Sequence, residues 1–302
     1  MNHKKIIIAG GSGFLGQHLL AYFSNLSYEV LILSRGKSRG VFRQWDAKTL
    51  GAWAAELEGA QALINMTGRT VDCRYNEKNK AQILNSRIDS TRILGEAVRA
   101  CTQPPKFWFN SSTATIYQHT EGNAPANTEK NGIVGSDFSM NVAKAWEAEF
   151  FSHDTPDTIK TALRTAIAMG KDGGAFPVMA KLAKFGLCSP QGTGKQWISW
   201  VHVEDVCRVI EFLMQQPHEG IVNVAAPYPI QNQDFNRLLK EKLNVLFTLP
   251  QPEWLLKIGA FFIRTQTELI LKSRKAYPEH LLDAGFTFNY EKCDAALDDL
   301  LA

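Results

Sequence analysis

A glycine turn directly after the first apolar run constrains this chain more than any other feature. Lys5–Ala9 reads Lys-Ile-Ile-Ile-Ala, and Gly10-Gly11-Ser12-Gly13-Phe14-Leu15-Gly16 follows at once. The short β-branched run predicts a buried strand, and the pattern from Phe14 to Asn25 predicts a helix. Glycines at 10, 13 and 16 then stand between a strand and a helix. Gly10 can take the backbone angles of a tight turn, and Gly16 lets the helix pack closely on the strand. A side chain at Gly13 would obstruct the approach of a pyrophosphate to the free N–H groups at the helix start. Glycine clusters also make plain turns. The strand–turn–helix context is what makes this one a dinucleotide site.

The rhythm continues downstream. Glu29–Ser34, Ala62–Met66, Lys106–Asn110 and Thr161–Thr165 read as further buried parallel strands, short, apolar and bounded by turn residues. Helices are predicted over Glu77–Cys101 and Asp137–Ser152 between them. In the first of these Ile83, Ile88, Ile93, Leu94, Ala97 and Val98 recur at roughly helical spacing, and Pro104-Pro105 marks the exit. This predicts an α/β fold, a Rossmann-like doubly wound parallel sheet with helices on both faces. After about residue 170 the pattern changes. Gly170–Gly174 and Gly192-Thr193-Gly194 read as loops, Val201–Val206 as a strand running into a helix near Asp205, and Glu253–Ile263 as an apolar helix. We expect residues 1–170 to form the cofactor domain, with part of the later chain returning to it. Residues 171–302 would form a smaller α/β lobe on the substrate side, the substrate lying in the cleft between.

Bulk properties exclude several classes. The chain has 302 residues and a net charge of +3, too small to mark a nucleic-acid surface. Its five cysteines are scattered, with no Cys-x-x-Cys pair, which argues against a disulfide framework or a metal site and favours a reducing, cytoplasmic compartment. The apolar run at Ile6–Ile8 stops at the glycines, unlike a signal peptide, and Leu255–Ile263 is far shorter than a membrane span. A small molecule is therefore the expected partner, rather than a nucleic acid or a membrane.

The second strand ends in Ser34-Arg35-Gly36-Lys37-Ser38-Arg39. An NAD site commonly has Asp or Glu about 20 residues past the glycines, for the ribose 2′-hydroxyl. Here three cations stand within five residues, and a guanidinium can pair bidentately with a 2′-phosphate. NADP(H) is therefore preferred, with NAD(H) possible. A solvated basic turn is the plainer reading of the same residues.

Further motifs carry a family resemblance. Ser111-Ser112-Thr113-Ala114-Thr115-Ile116-Tyr117, Val201-His202-Val203-Glu204-Asp205, Gly192-Thr193-Gly194-Lys195-Gln196, Asn223-Val224-Ala225-Ala226-Pro227 and Gly285-Phe286-Thr287-Phe288 join the glycine turn. Together they resemble an atypical branch of the extended short-chain dehydrogenase/reductases, epimerase/dehydratase-like with a C-terminal domain of unknown function. The resemblance covers essentially the whole chain. It implies cofactor contacts at Gly10, Gly11, Ser12, Gly13, Phe14, Leu15, Gly16, Ser34, Arg35, Lys37, Asp46, Met66, Thr67, Gly68, Arg87 and Ser111. It further implies a substrate pocket containing Arg74, Tyr75, Trp197, Trp200 and His202. Relatives often dimerise through the two long helices, so a monomer or a homodimer is expected.

Common members of the superfamily use Ser or Thr, Tyr and Lys, the last two as Tyr-x-x-x-Lys. The tyrosine exchanges a proton, and the lysine holds the nicotinamide ribose and lowers the tyrosine pKa. Thr113 matches the hydroxyl position and Lys144 the lysine. The tyrosine is missing: Met140 stands four residues before Lys144, and shifting the register by one pairs Ser139 with Ala143. Tyr117, Asp72, Cys73, Lys144 and His202 are the candidate replacement donors. The chain thus reads as an NADP(H)-dependent oxidoreductase or epimerase acting on a small carbonyl or sugar-like compound. The alternative is an NADPH-binding redox sensor or regulator without turnover.

Overall fold

The computed structural model describes residues 4–251 and 272–302. Among them seven strands form one wholly parallel sheet. These are β1 (Lys5–Ala9), β2 (Glu29–Ser34), β3 (Phe42–Gln44), β4 (Ala62–Asn65), β5 (Phe107–Thr113), β6 (Ile159–Thr165) and the strand Gly220–Val224, in spatial order Gly220–Val224, β6, β5, β4, β1, β2, β3. The order reverses between β1 and β4. Each has its carboxyl end at the crevice opened there, where doubly wound sheets place their ligands.

Alternation along the strands explains the two layers of the main core. Ile6 and Ile8 of β1, with Val30, Ile32, Ile64, Phe107 and Phe109, face one layer. That layer contains Leu19 and Phe23 of α1 (Phe14–Asn25), together with Val206, Val209, Ile210 and Leu213 of the helix Val203–Gln215. Ile7, Leu31, Leu33, Leu63 and Trp108 face the other way. They meet Ile93, Leu94, Ala97 and Val98 of α2 (Glu77–Ala100) and Phe150 of α3 (Phe138–Ser152). The side chain of Asn76 caps α2 by accepting Asn79 N–H, and that of Asp137 caps α3 by accepting Met140 N–H.

A second core lies over the sheet's carboxyl edge. Met169, Phe176, Ala183, Trp200, Phe235 and Leu239 meet Ala296, Leu297 and Leu300 of the terminal helix Cys293–Leu301 there. The described residues after 171 thus divide their packing. The helix Val203–Gln215, the strand Gly220–Val224 and the segment Leu281–Phe288 join the large sheet, and much of the rest builds the second core. The expected strand at Val201–Val206 is shorter than its sequence suggests: it ends at His202, and Val203 already begins the helix. The helix expected over Glu253–Ile263 lies outside the described residues. No described helix is long and apolar enough to cross a membrane.

Candidate cofactor and active site

Each glycine of the turn has its own physical requirement. Gly10 has φ +74°, and a Cβ there would come within 2.9 Å of the Thr67 Cα. A Cβ on Gly16 would stand 2.3 Å from the Gly11 Cα, so α1 can approach the turn only without one. Gly13 differs, because a Cβ there would meet nothing of the protein closer than Gly10 O at 4.0 Å. The fold does not demand glycine at 13, but a ligand seated on the helix start would. Gly13 is the N-cap of α1, no side chain caps the helix and no acidic residue occupies its first turn. The end of α1 therefore keeps uncapped N–H groups and the positive pole of the helix dipole. Ser12 and Gly13 are exposed at its rim. The Phe14 side chain is committed elsewhere: Cβ atoms on Gly170, Gly173 or Gly174 would collide with it. Leu15 packs into the first core. Phe14 and Leu15 thus leave only their backbone for a cofactor.

The tips of β2 and β4 flank this turn. Ser34 is buried at the end of β2, while Arg35 and Lys37 beyond it are exposed and form no ion pair among the described residues. Asp46 caps its own turn, accepting from the N–H groups of Lys48 and Thr49 and from the Thr49 hydroxyl, which holds its carboxyl down at about 2. At β4, Met66 N–H donates to Ala9 O and Thr67 N–H to the Asn65 side chain, while Ser111 Oγ lies 2.8 Å from Met66 Sδ. The Thr67 hydroxyl is buried beside Gly10 without a partner among the described residues. Such an orphan group fits a site that a polar ligand completes.

Arg87 reaches this corner from α2. Its guanidinium lies directly under Gly68, whose Cβ would stand 3.1 Å from Arg87 Cζ. Arg87 Nη1 donates to Ile83 O and Arg69 O, and the cation stacks 5.0 Å from the centre of the Trp146 ring. Trp146 is fixed in turn by its Nε1 donating to Thr91 Oγ1. Burial pushes the Arg87 pKa down to about 10, which leaves it charged at neutral pH, and no carboxylate pairs with it among the described residues. An uncancelled buried cation beside a phosphate-ready turn fits an anionic ligand.

Several expected catalytic and pocket residues need correction. Lys144 is exposed on α3, one helical turn past the buried Met140 that stands where the tyrosine would be. Tyr117 is fully buried. Its hydroxyl donates to Asn223 Oδ1 at 2.8 Å or Thr128 O at 3.2 Å and accepts from Arg164 Nη1 at 3.0 Å. Burial pushes its pKa up, so it is a sealed structural phenol rather than a proton donor. Trp200 is fully buried in the second core with its Nε1 donating to Tyr228 O, and it lines no open pocket. His202 caps the following helix through Nδ1, stacks on Tyr290 at 4.0 Å and points Nε2 toward Asp299 at 3.3 Å.

Thr113 ends β5 and its Oγ1 accepts Thr115 N–H, capping the turn. The cap uses an oxygen lone pair and leaves the O–H able to donate. Tyr75 lies edge-on to Phe138 at the start of α3, 5.0 Å between ring centres, with Arg74 exposed beside it. Asp72 is exposed and Cys73 half-buried in the same loop. Trp197 donates from Nε1 to Gly122 O, and Lys275 lies over its ring at 4.6 Å.

Two features have no local signal in the sequence. The first is a buried ion pair between Glu147 of α3 and Arg164 of β6, at 2.7 and 2.8 Å, which also takes the Ser112 hydroxyl at 2.5 Å. The second is a charged cluster at the start of α3, where Lys272 bonds to Asp137 and Arg274 lies 3.9 Å from it while donating to Thr115 O. Among the described residues no His, Cys, Asp or Glu group is arranged to hold a metal.

Comparison with known proteins agrees with this architecture. The NAD dependent epimerase/dehydratase family matches residues 6–136 and 152–225, and a domain of unknown function (DUF1731) matches residues 251–300. The epimerase family protein YfhF of Bacillus subtilis is 31% identical over 98% of both chains. The crystal structure of human epimerase family protein SDR39U1 with NADPH superposes with a TM-score of 0.88 at 26% identity, covering 98% of each chain. The nucleoside-diphosphate sugar epimerase of Corynebacterium glutamicum gives 0.80 at 26% identity, over 98% of this chain and 58% of that one. The chain belongs to the NAD dependent epimerase/dehydratase family and carries a DUF1731 domain at residues 251–300.

Proposed function

We propose that this protein binds NADP(H) in the crevice between β1 and β4 and uses it to act as an oxidoreductase or epimerase on a small carbonyl or sugar-like compound. One observation carries the cofactor reading: Gly13 has open space where a Cβ would go, at an uncapped helix start. The pyrophosphate is held there by backbone N–H groups of the turn, with Thr67 and Gly68 on the adenosine ribose side. Ser34, Arg35 and Lys37 take the 2′-phosphate and Asp46 lies toward the adenine. Ser111 and Arg87 flank the remaining length. The NADPH in the human SDR39U1 structure, at a TM-score of 0.88, supports this reading. Bound there, the nicotinamide supplies hydride transfer.

The substrate lies over the tips of β4 and β5, where Thr113 orients its oxygen and Arg74, Tyr75 and Trp197 line the cleft. A second reading, a binder without turnover, draws on α3, where Met140 stands in place of a tyrosine four residues before Lys144. Stopped-flow oxidation of bound NADPH across aldehydes, ketones and nucleotide sugars separates the two. Turnover that Thr113→Ala reduces at least tenfold supports the enzyme. Tight NADPH binding with no oxidation across the panel supports the binder.

A further inference from the structure

We propose that the DUF1731 domain completes the active site, and that its Arg274 is the positioning residue that aims the Thr113 hydroxyl at the substrate. The inference rests on the enzymatic reading above.

The segment 272–277 falls within the DUF1731 match and threads between two earlier parts of the chain. On one side is the loop that follows the β5 turn. Thr120 N–H donates to Ser273 O, Ser273 Oγ donates to Thr120 O, and Ser273 N–H donates to His119 Nδ1. Further along, Asn127 N–H donates to Lys275 O and Tyr277 N–H to Asn127 O. On the other side are residues 197–199. Arg274 N–H donates to Trp197 O, Ser199 Oγ to Arg274 O and Ala276 N–H to Ser199 Oγ. Backbone groups and two serine hydroxyls make these bonds. The course of the strap therefore does not depend on the Arg274 side chain.

That side chain reaches the β5 turn. Its Nε donates to Thr115 O at 3.2 Å, and its Nη2 lies 3.9 Å from the carboxylate of Asp137, which caps α3. Thr115 is the middle residue of the single 3₁₀ turn Ala114–Ile116, whose N-cap is Thr113. A helical end leaves carbonyls without partners inside the helix. Here Ala114 O accepts Tyr117 N–H and Ile116 O accepts Gly135 N–H, and the donor to Thr115 O among the described residues is Arg274. A bond from a guanidinium is stronger than one between neutral groups. Thr115 N–H in turn donates to Thr113 Oγ1 at 3.1 Å. Holding Thr115 by its carbonyl thus fixes the N–H that holds the Thr113 oxygen. With that lone pair taken, the Thr113 O–H is left to donate toward the substrate oxygen.

The strap also joins two elements. Lys272 bonds to Asp137 at the start of α3 while Arg274 holds the turn after β5. Common relatives take their hydroxyl residue from that turn and their tyrosine from that helix. In this chain the C-terminal domain bridges the two, and its contribution is to orient groups rather than to react.

The test begins on cofactor-free protein with 13C-methyl threonine, where methyl order parameters read side-chain motion directly. The expected result in Arg274→Met is a lower order parameter for the Thr113 methyl, with the buried Thr91 methyl of α2 unchanged. Arg274→Lys, which can still donate to Thr115 O, is expected to return the Thr113 value toward wild type. An unchanged Thr113 methyl in Arg274→Met overturns the pairing, and an equal loss at Thr91 overturns it in favour of general loosening. With a carbonyl that the wild type reduces, Arg274→Met is expected to lower kcat about tenfold, the loss of one hydrogen bond from a charged donor. KM and the NADPH Kd are expected to stay within about twofold of wild type. In a Thr113→Ala background Arg274→Met is expected to have no further effect, because it acts through that hydroxyl. Losses that multiply overturn the positioning role. Wild type that binds NADPH and reduces no compound of the panel overturns the enzymatic reading and the positioning role with it, while the order parameters still decide whether Arg274 holds the turn.

Discussion

Replacing Gly13 by serine should stabilise the empty protein while removing its cofactor. The backbone at Gly13 has φ −85° and ψ 179°, the extended geometry of a serine N-cap, and a Cβ there has room. Restricting the unfolded chain contributes about 0.4–1 kcal/mol, and capping α1 adds a few tenths. The sum is about 1 kcal/mol, or roughly 1–3 °C in Tm for a chain of this size. The new Cβ and hydroxyl occupy the space assigned to the pyrophosphate. Loss of one or two charge-assisted hydrogen bonds, about 1.5–3 kcal/mol each, raises the NADPH Kd about 100-fold. Thermal melts with and without NADPH read both effects. At 100 times its Kd the cofactor should stabilise wild type by about 2.7 kcal/mol and the variant hardly at all. Gly13→Ser that binds NADPH as wild type does would refute the placement of the pyrophosphate. A variant that melts much lower without cofactor would show that the fold itself requires glycine there.

Gly16→Ala should behave in the opposite way, because its Cβ would stand 2.3 Å from backbone; urea unfolding should show a loss of about 3 kcal/mol. Arg164→Met leaves Glu147 buried and unpaired, and should cost about 3–5 kcal/mol in the same assay. Adding Glu147→Leu should recover much of that loss, and no recovery would contradict the ion-pair account. Burial holds His119, His153, His202, His218 and His280 below the usual histidine pKa. The unfolded chain then binds more protons near pH 6.5, so stability is full above that pH and falls as the pH drops below it. Urea midpoints at pH 7.5 and 5.5 check the sign, and greater stability at pH 5.5 would contradict it.

What could be read from the sequence was what depends on neighbours along the chain. Lys5–Ala9 and Glu29–Ser34 coincide with β1 and β2, because a short apolar run between turn residues has few alternatives. β3 was not expected, since Phe42-Arg43-Gln44 is too short to show a pattern. The strand Gly220–Val224 was also missed. Its central Asn223 looks like a loop residue, yet it is buried, and its side chain bonds to Tyr117 and to the carbonyls of Asn127 and Tyr277. The same long-range network moved Tyr117 from the candidate donors to the core. Trp200 and His202 failed as pocket residues for a related reason: their partners Tyr228, Tyr290 and Asp299 lie far along the chain. The distinct role of Gly13 among its neighbours also needed three dimensions, since only the packing shows which glycine leaves open space.

Dissociation constants for NADPH and NADH on the same protein test the central claim most directly. The account predicts that NADPH binds at least tenfold more tightly, and that Arg35→Ala removes most of the difference while leaving NADH affinity nearly unchanged. Equal affinities in the wild type, or a preference for NADH, would contradict it.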